Sequence, residues 1–232
     1  MKVKANFDKI NEYYKENLET VFARTEQALT RSRENNYKIL GWESREAQYK
    51  RFLILAKNID LNNKTLLDVG SGLGDLYHFL TQGLRWSVDY VGTDILSGMV
   101  SMAEQQAKEI QLPDGVDASY KFLNTDIFAE QTDDLKNHKF DVVYTSGIFN
   151  LNLGNNEIFL KSAFEKFAEF AKEYFVCSFL SDESRDKEDT YFYYNADIID
   201  KAMTDIKRKY PSAKYRIITG YLPNDMTVIW EK

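Results

Sequence analysis

The chain is poor in the residues that build cross-links, metal centres and kinks. A single cysteine, Cys177, excludes an intramolecular disulfide framework and any multi-cysteine zinc site. The two histidines, His78 and His138, lie far apart in sequence, and no histidine–carboxylate cluster with metal spacing is visible. Three prolines in 232 residues fit a body of regular helices and strands. No apolar run approaches the ~20 residues needed to span a bilayer. The opening "MKVKANFDKINEYYKEN" carries charges throughout and has no apolar core of a secretory signal, so a cytoplasmic protein is expected.

Positive charge is also in short supply. Lys and Arg number 30 against 36 Asp and Glu, for a net charge of −6 and a pI near 5.1. Nucleic-acid binding needs a concentrated basic surface, so no nucleic-acid partner is expected. The short basic run "KRKY" at 207–210 reads as a solvated helix end.

Hydrophobic residues at 44% and aromatics at 14% are ample for a packed core, and the length suits one domain, or one domain with a helical extension. From about residue 7 to 32 a helical stripe is readable in Ile10, Tyr13 or Tyr14, Leu18, Val21 or Phe22, and Leu29. A second helix is predicted over about 44–58, and "NIDLNNKT" (58–65) is a turn-rich joint. The period then changes. Strand-like runs occur at 65–69, 88–93, 118–123, 140–145, 174–180, 214–221 and 226–231, with helical stretches at 97–109, 156–171 and 195–209. Ser97 is the expected N-cap of the first of these helices. Alternating strands and helices predict an α/β protein with a mostly parallel seven-stranded sheet between two helical layers. Only "LPND" separates the last two strands, too short for a parallel crossover, so an antiparallel hairpin is expected. The division that follows is an N-terminal helical cap or lid over 1–60 and a core over 61–232. The polar segment 181–195 reads as a loop after the fifth strand.

The stretch with most to say about chemistry is "TLLDVGSGLGDLYHFLT", residues 65–81. Glycines at 70, 72 and 74 follow a strand and precede a helical stretch. Turn chemistry alone explains glycines there, because glycine tolerates positive φ. The position also matters: ligands of open α/β sheets bind at the carboxyl ends of strands. A dinucleotide fingerprint, G-x-G-x-x-G, would require a glycine where this chain has Asp75, and a carboxylate repels a pyrophosphate. A phosphate-binding P-loop is excluded because no Lys-Ser or Lys-Thr follows the glycines.

"LLDVGSGLGD", together with an acidic residue ending the second strand in "YVGTDI", resembles the class I S-adenosylmethionine-dependent methyltransferases of the bacterial small-molecule type. The resemblance spans roughly residues 37–232 and includes the terminal hairpin, which together imply a three-layer Rossmann-like fold. It implies S-adenosyl-L-methionine as cofactor, held through Asp68, Gly70, Ser71, Gly72 and Gly74 of the motif. It further implies that Asp94, with Ile95, meets the ribose hydroxyls and that Asp126 and Ile127 in "NTDIF" meet the adenine. Ser146 follows the fourth strand, where the family places residues between cofactor and acceptor. "GWESREAQYKRF" (41–52) resembles the entry helix of some of these enzymes, which puts Trp42, Gln48 and Arg51 over the methionine end. An amphipathic helix packing on the sheet explains the same stretch, and an ordinary turn aspartate explains Asp126.

The acceptor side is fainter. The chain has Ser146-Gly147-Ile148-Phe149 where adenine and glutamine N-methyltransferases carry a proline motif, so those activities are not expected. Cytosine C5 methylation needs a nucleophilic cysteine, and Cys177 sits in an apolar strand as a core thiol. Neither histidine suits a general base, and no catalytic residue and no metal are assigned. The loops after the fourth and fifth strands place Phe149, Asn150 and Tyr193 as candidate acceptor-pocket residues. The expected function is methyl transfer to an oxygen or nitrogen of a small polar acceptor. The alternatives are RNA or protein methylation, or a non-catalytic cofactor-binding protein of the same fold. A homodimer through the N-terminal helices is left open.

Overall fold

In a computed structural model of the chain, the described residues are 9–10, 12–15, 33–129, 135 and 137–232. Most of the expected helix over 7–32 lies outside them; residues 9–10 and 12–15 are helical. A 3₁₀ turn (Arg33–Asn35) runs into the short helix α1 (Asn36–Ile39), and α2 follows over Arg45–Asn58. The remaining elements are β1 (Lys64–Val69), α3 (Asp75–His78, continuing as a π turn over Phe79–Gly83), β2 (Val88–Asp94) and α4 (Ser97–Lys108). They are followed by β3 (Ser119–Asn124), β4 (Phe140–Ser146), α5 (Asn156–Phe170), β5 (Ala171–Leu180), α6 (Ala196–Lys209), β6 (Lys214–Ile218) and β7 (Asp225–Glu231).

The seven strands form one sheet in the order β3-β2-β1-β4-β5-β7-β6. The recorded pairings β1–β4, β2–β3 and β4–β5 are parallel, whereas β7 runs antiparallel to both β5 and β6. The expected hairpin is present, with Ile218 opposite Thr227 next to the turn. Helix starts follow local chemistry. Ser44 caps α2 by accepting the Ala47 N–H at 3.0 Å, and Asn195 caps α6 by accepting that of Ile198 at 3.0 Å. Ser97 does not cap α4: it is the first helical residue, and the preceding Leu96 N–H goes to the Asp94 carboxylate at 2.9 Å.

The described residues group into two compact units, one holding Leu66–Val69 with Asp126–Lys232, the other residues up to Thr65 with Gly70–Thr125. The sequence division at residue 60 runs through the second unit.

The first unit is packed by aromatics. Phe149, Phe164, Phe167, Phe175, Phe179, Tyr194 and Trp230 are buried, with Phe149 stacked on Phe179 at 4.9 Å and Phe175 on Trp230 at 4.9 Å. Cys177 is fully buried as a free thiol, and desolvation pushes its pKa well above the ordinary value. The loops after β4 and β5 are tied into one layer. The Asn152 N–H donates to the Thr190 carbonyl at 2.9 Å, and that of Phe192 to Asn150 at 2.8 Å. Asn156 staples the same region, accepting the Leu153 N–H at 2.7 Å and donating to the Leu151 carbonyl at 2.8 Å. The Tyr194 hydroxyl donates to the Phe149 carbonyl at 3.2 Å.

This layer corrects one expectation. Phe149 is 0% exposed and surrounded by other rings, so it is a core residue and not a pocket wall. Truncating a buried Phe removes its transfer free energy and leaves a cavity, a loss of about 3–5 kcal/mol. Phe149→Ala should therefore lower the urea unfolding free energy by that order; a loss no larger than that of a surface substitution would contradict the packing.

Candidate active site

The second unit holds a glycine loop whose conformation is set by the end of β2. The carbonyl of Thr93 accepts two successive loop amides, Gly70 at 2.8 Å and Ser71 at 2.9 Å. The next amide, Gly72, donates to Asp94 Oδ2 at 3.1 Å, and Gly74 N–H closes back on the Ser71 carbonyl at 3.0 Å. Gly70, Gly72 and Gly74 all have positive φ (72°, 53° and 73°), which L-residues with a Cβ rarely adopt. Close approach adds a second demand. A Cβ on Gly74 would stand 2.7 Å from the Phe122 ring, and one on Gly72 2.6 Å from Leu40 Cδ2. Gly92 on β2 is glycine for a related reason, since a Cβ there would meet Ser71 Oγ at 2.7 Å. Ser71 Oγ itself is buried without a hydrogen-bond partner.

These bonds commit the N–H groups of Gly70, Ser71, Gly72 and Gly74 to the protein. A pyrophosphate cradle works by presenting such amides to the ligand. Here the loop has spent them internally, and the polar group beside it is the Asp94 carboxylate. Burial raises the Asp94 pKa, opposed by the N–H groups of Leu96, Gly72 and Ile95. Each of its oxygens accepts a backbone N–H and keeps lone pairs for further donors.

The structure brings together several predicted residues and separates others. Gly72 and Asp94 are in direct contact, as are Trp42 and Arg51: the guanidinium lies 4.4 Å from the indole centroid and also donates to the Ala47 carbonyl at 2.8 Å. Gln48 is turned elsewhere. Its amide is 3% exposed and donates to Asp75 Oδ2 at 3.1 Å, so the expectation that it reaches a ligand is corrected: the buried carboxylate claims it.

Asp68, Asp126, Ile127 and Ser146 belong to the other unit. Asp68 is buried near the end of β1, two residues before Gly70. Asp126 Oδ1 accepts the Phe128 N–H at 2.9 Å in an Asx turn, and Ile127 beside it is buried. Ser146 Oγ accepts from Ser178 Oγ at 2.7 Å. Asn150 is half-buried, and the half-buried Tyr193 accepts the Glu188 N–H at 3.0 Å through its hydroxyl. Asn36 and Arg33, which sequence reasoning passed over, converge with Gln48 on Asp75, and Gln106 joins them through Asn36. Such amides have no periodicity or motif spacing, so nothing short of the folded chain would have marked them. Among the described residues, no cluster of three or more metal-ligating side chains occurs, and no helix is long and apolar enough to cross a membrane.

A comparison with protein families matches residues 60–211 to the methyltransferase domain family. The chain belongs to that family, and its fold is that of the class I S-adenosylmethionine-dependent methyltransferases. Among solved structures, it is similar to magnesium protoporphyrin IX methyltransferase from Synechocystis PCC 6803 with bound S-adenosylmethionine: TM-score 0.61, 16% identity, covering 97% of this chain and 94% of that one. It is also similar to the plantazolicin methyltransferase BpumL in complex with a triazolic desmethylPZN analog and S-adenosylhomocysteine: TM-score 0.57, 16% identity, covering 96% and 99%. A third likeness is to the methyltransferase domain of bacterial CtHen1, with TM-score 0.56, 15% identity and coverage of 80% and 99%. No curated protein matches the sequence.

His78, on α3, supplies a pH test of this region. Burial, with Arg33 and Arg45 nearby, lowers its pKa from 6.5 to about 4, and its Nδ1 has no hydrogen-bond partner. The neutral ring is thus favoured in the folded state. On acidification the unfolded chain takes up this proton first, so the stability that His78 contributes above pH 6.5 is lost as pH falls from 6.5 towards about 4. Urea unfolding across that window should show a shallower decline for His78→Gln than for wild type. Parallel curves would place His78 in water.

Proposed function

We propose that the chain transfers a methyl group from S-adenosylmethionine to an oxygen or nitrogen of a small polar acceptor in the cytoplasm. The observation that carries the cofactor half of this reading is the inward commitment of the loop amides. A loop with its N–H groups bonded to Thr93 and Asp94 offers little to a phosphate. Carbonyls and a carboxylate suit a cofactor that carries an ammonium, a sulfonium and ribose hydroxyls but no phosphate. When bound, S-adenosylmethionine supplies an electrophilic methyl on its sulfonium.

The residues of this chain do the binding and the alignment. Asp94 accepts the ribose hydroxyls with the lone pairs its backbone donors leave unused. Trp42 and Arg51, already stacked on each other, cover the methionine end. Asp68, Ser71, Ile95, Asp126, Ile127 and Ser146 complete the cofactor contacts. For the acceptor, Asn150 and Tyr193 lie on the joined loops after β4 and β5, which hold polar groups on a rigid aromatic base. The acidic composition favours a small acceptor over RNA. Transfer to a good nucleophile then needs chiefly alignment and exclusion of water.

Calorimetry with S-adenosylhomocysteine, S-adenosylmethionine, NAD and FAD tests the cofactor. The first two should bind and the dinucleotides should not; NAD binding without a response to S-adenosylhomocysteine would overturn the reading. A hydrogen bond to a charged group is worth about 1.5–3 kcal/mol, so Asp94→Ala should weaken S-adenosylhomocysteine by about one to two orders of magnitude. Once turnover is found with a screened sugar, amine or phosphorylated acceptor, Asn150→Ala should lower kcat/KM and leave cofactor affinity nearly unchanged.

A further inference from the structure

Asp75, the residue that breaks the dinucleotide fingerprint, has a task of its own. It is the first residue of α3, immediately after Gly74, and it is 3% exposed. Its Oδ1 accepts from Asn36 Nδ2 at 2.6 Å and faces Arg33 Nη1 at 3.7 Å, while Oδ2 accepts from Gln48 Nε2 at 3.1 Å. Asn36 carries the connection onward: its Nδ2 also donates to Gln106 Oε1 at 2.9 Å, and its Oδ1 accepts from Gln106 Nε2 at 3.1 Å. Asn36, Gln48 and Gln106 are all buried. One carboxylate thus gathers donors from the 3₁₀ turn, α1 and α2, and reaches α4 through Asn36.

The polarity of this network is not arbitrary. Asn36 and Gln48 each present an N–H group to one of the Asp75 oxygens and Arg33 faces the first of them, so the centre must offer an acceptor on both sides, as a carboxyl group does. Asn36 could reverse its amide to suit a different centre only if Gln106 reversed with it, because the two amides are reciprocally paired. A buried charge is a poor device for raising stability, since apolar replacements of similar volume often serve as well. Its value lies in selecting one arrangement of the groups around it.

That arrangement is the docking of residues 33–48 on the glycine loop. Leu40 sits over Gly72, close enough that a Cβ there would be 2.6 Å away, and Ile39 packs with Leu73 and Met99. Trp42 follows two residues after Leu40.

We infer that Asp75 is a positioning residue for the cofactor site, latching residues 33–48 onto the glycine loop so that Leu40, Trp42 and Arg51 are held ready for S-adenosylmethionine. This rests on the cofactor reading above. Asp75 does not touch the ligand; it acts through the segment it holds.

The test compares Asp75→Leu, which removes the acceptor of Gln48 and Asn36 and the charge facing Arg33, with Asp75→Asn, which keeps an acceptor for Asn36 if Gln48 reverses its amide. Two quantities are read on purified protein: S-adenosylhomocysteine affinity by calorimetry, and amide hydrogen exchange without ligand. Asp75→Leu should weaken S-adenosylhomocysteine at least tenfold. It should also speed exchange across residues 33–48 while residues 140–146 of β4 stay protected. Asp75→Asn should recover part of both. A folded Asp75→Leu with wild-type affinity overturns the inference, as does faster exchange of 33–48 without loss of affinity. If Asp75→Leu does not fold, Asn36→Ala cuts the tie to α1 and α4 and is held to the same two outcomes. Absence of S-adenosylhomocysteine binding by wild type would instead overturn the cofactor reading, and the positioning role with it.

Discussion

The carbonyl and carboxylate at the end of β2 set the conformation on which the candidate site depends. Thr93 and Asp94 accept three successive N–H groups of the glycine loop, and Asp94 also takes the N–H of Leu96 at the start of the next helix. Backbone polar groups in a buried turn must find partners, and here strand β2 supplies them. The consequence is chemical as well as structural. A loop satisfied in this way presents acceptors at its mouth, whereas phosphate-binding loops of similar sequence present donors. The choice between cofactor classes is therefore made by where the amides point, and the glycines serve that geometry.

A second buried polar centre lies on the other side of the same loop. Asp75 is surrounded by donors, and burial raises its pKa against the opposing pull of Asn36, Gln48 and Arg33. The two aspartates divide the work. Asp94 shapes the loop from the strand side; Asp75 binds the preceding segment to the helix that follows the loop. Around these centres the unit packs aromatic rings, with Tyr77 against Tyr90 and Tyr120, and Phe122 filling the space that Gly74 and Gly92 leave. Those glycines are thus as much partners of Phe122 as members of a ligand motif.

The loops after β4 and β5 show how an aromatic-rich stretch divides between packing and surface. In "TYFYYN", Tyr194 is buried and bonded to the Phe149 carbonyl, while Tyr193 stays half-buried and is fixed by the Glu188 N–H. Phe149 and Asn150 are neighbours in sequence yet one is core and the other half-buried. A selective pocket on such loops gains rigidity from the rings beneath it, which reduces the ordering cost of binding.

Alternation of strands and helices, the short final connection and the glycine spacing were enough to specify the α/β class, the seven strands, the hairpin and the tight turn after the first strand. Each rests on local patterns: a period of two or 3.6 residues, or a turn too short to cross a sheet. Asp94 was marked by the family resemblance, and the fold sets its carboxylate on the Gly72 N–H. What only the tertiary structure decided were the partners of side chains whose identity carries no period. Gln48 looked like a ligand contact and is claimed by Asp75; Phe149 looked like a pocket wall and is core; Ser97 looked like a cap and is the first residue of the helix. The Asn36–Asp75–Gln48–Gln106 network joins residues up to 70 positions apart. Hydrogen-bond partnership at that distance follows from which donors the fold buries together, and a linear sequence does not contain that information in any local form.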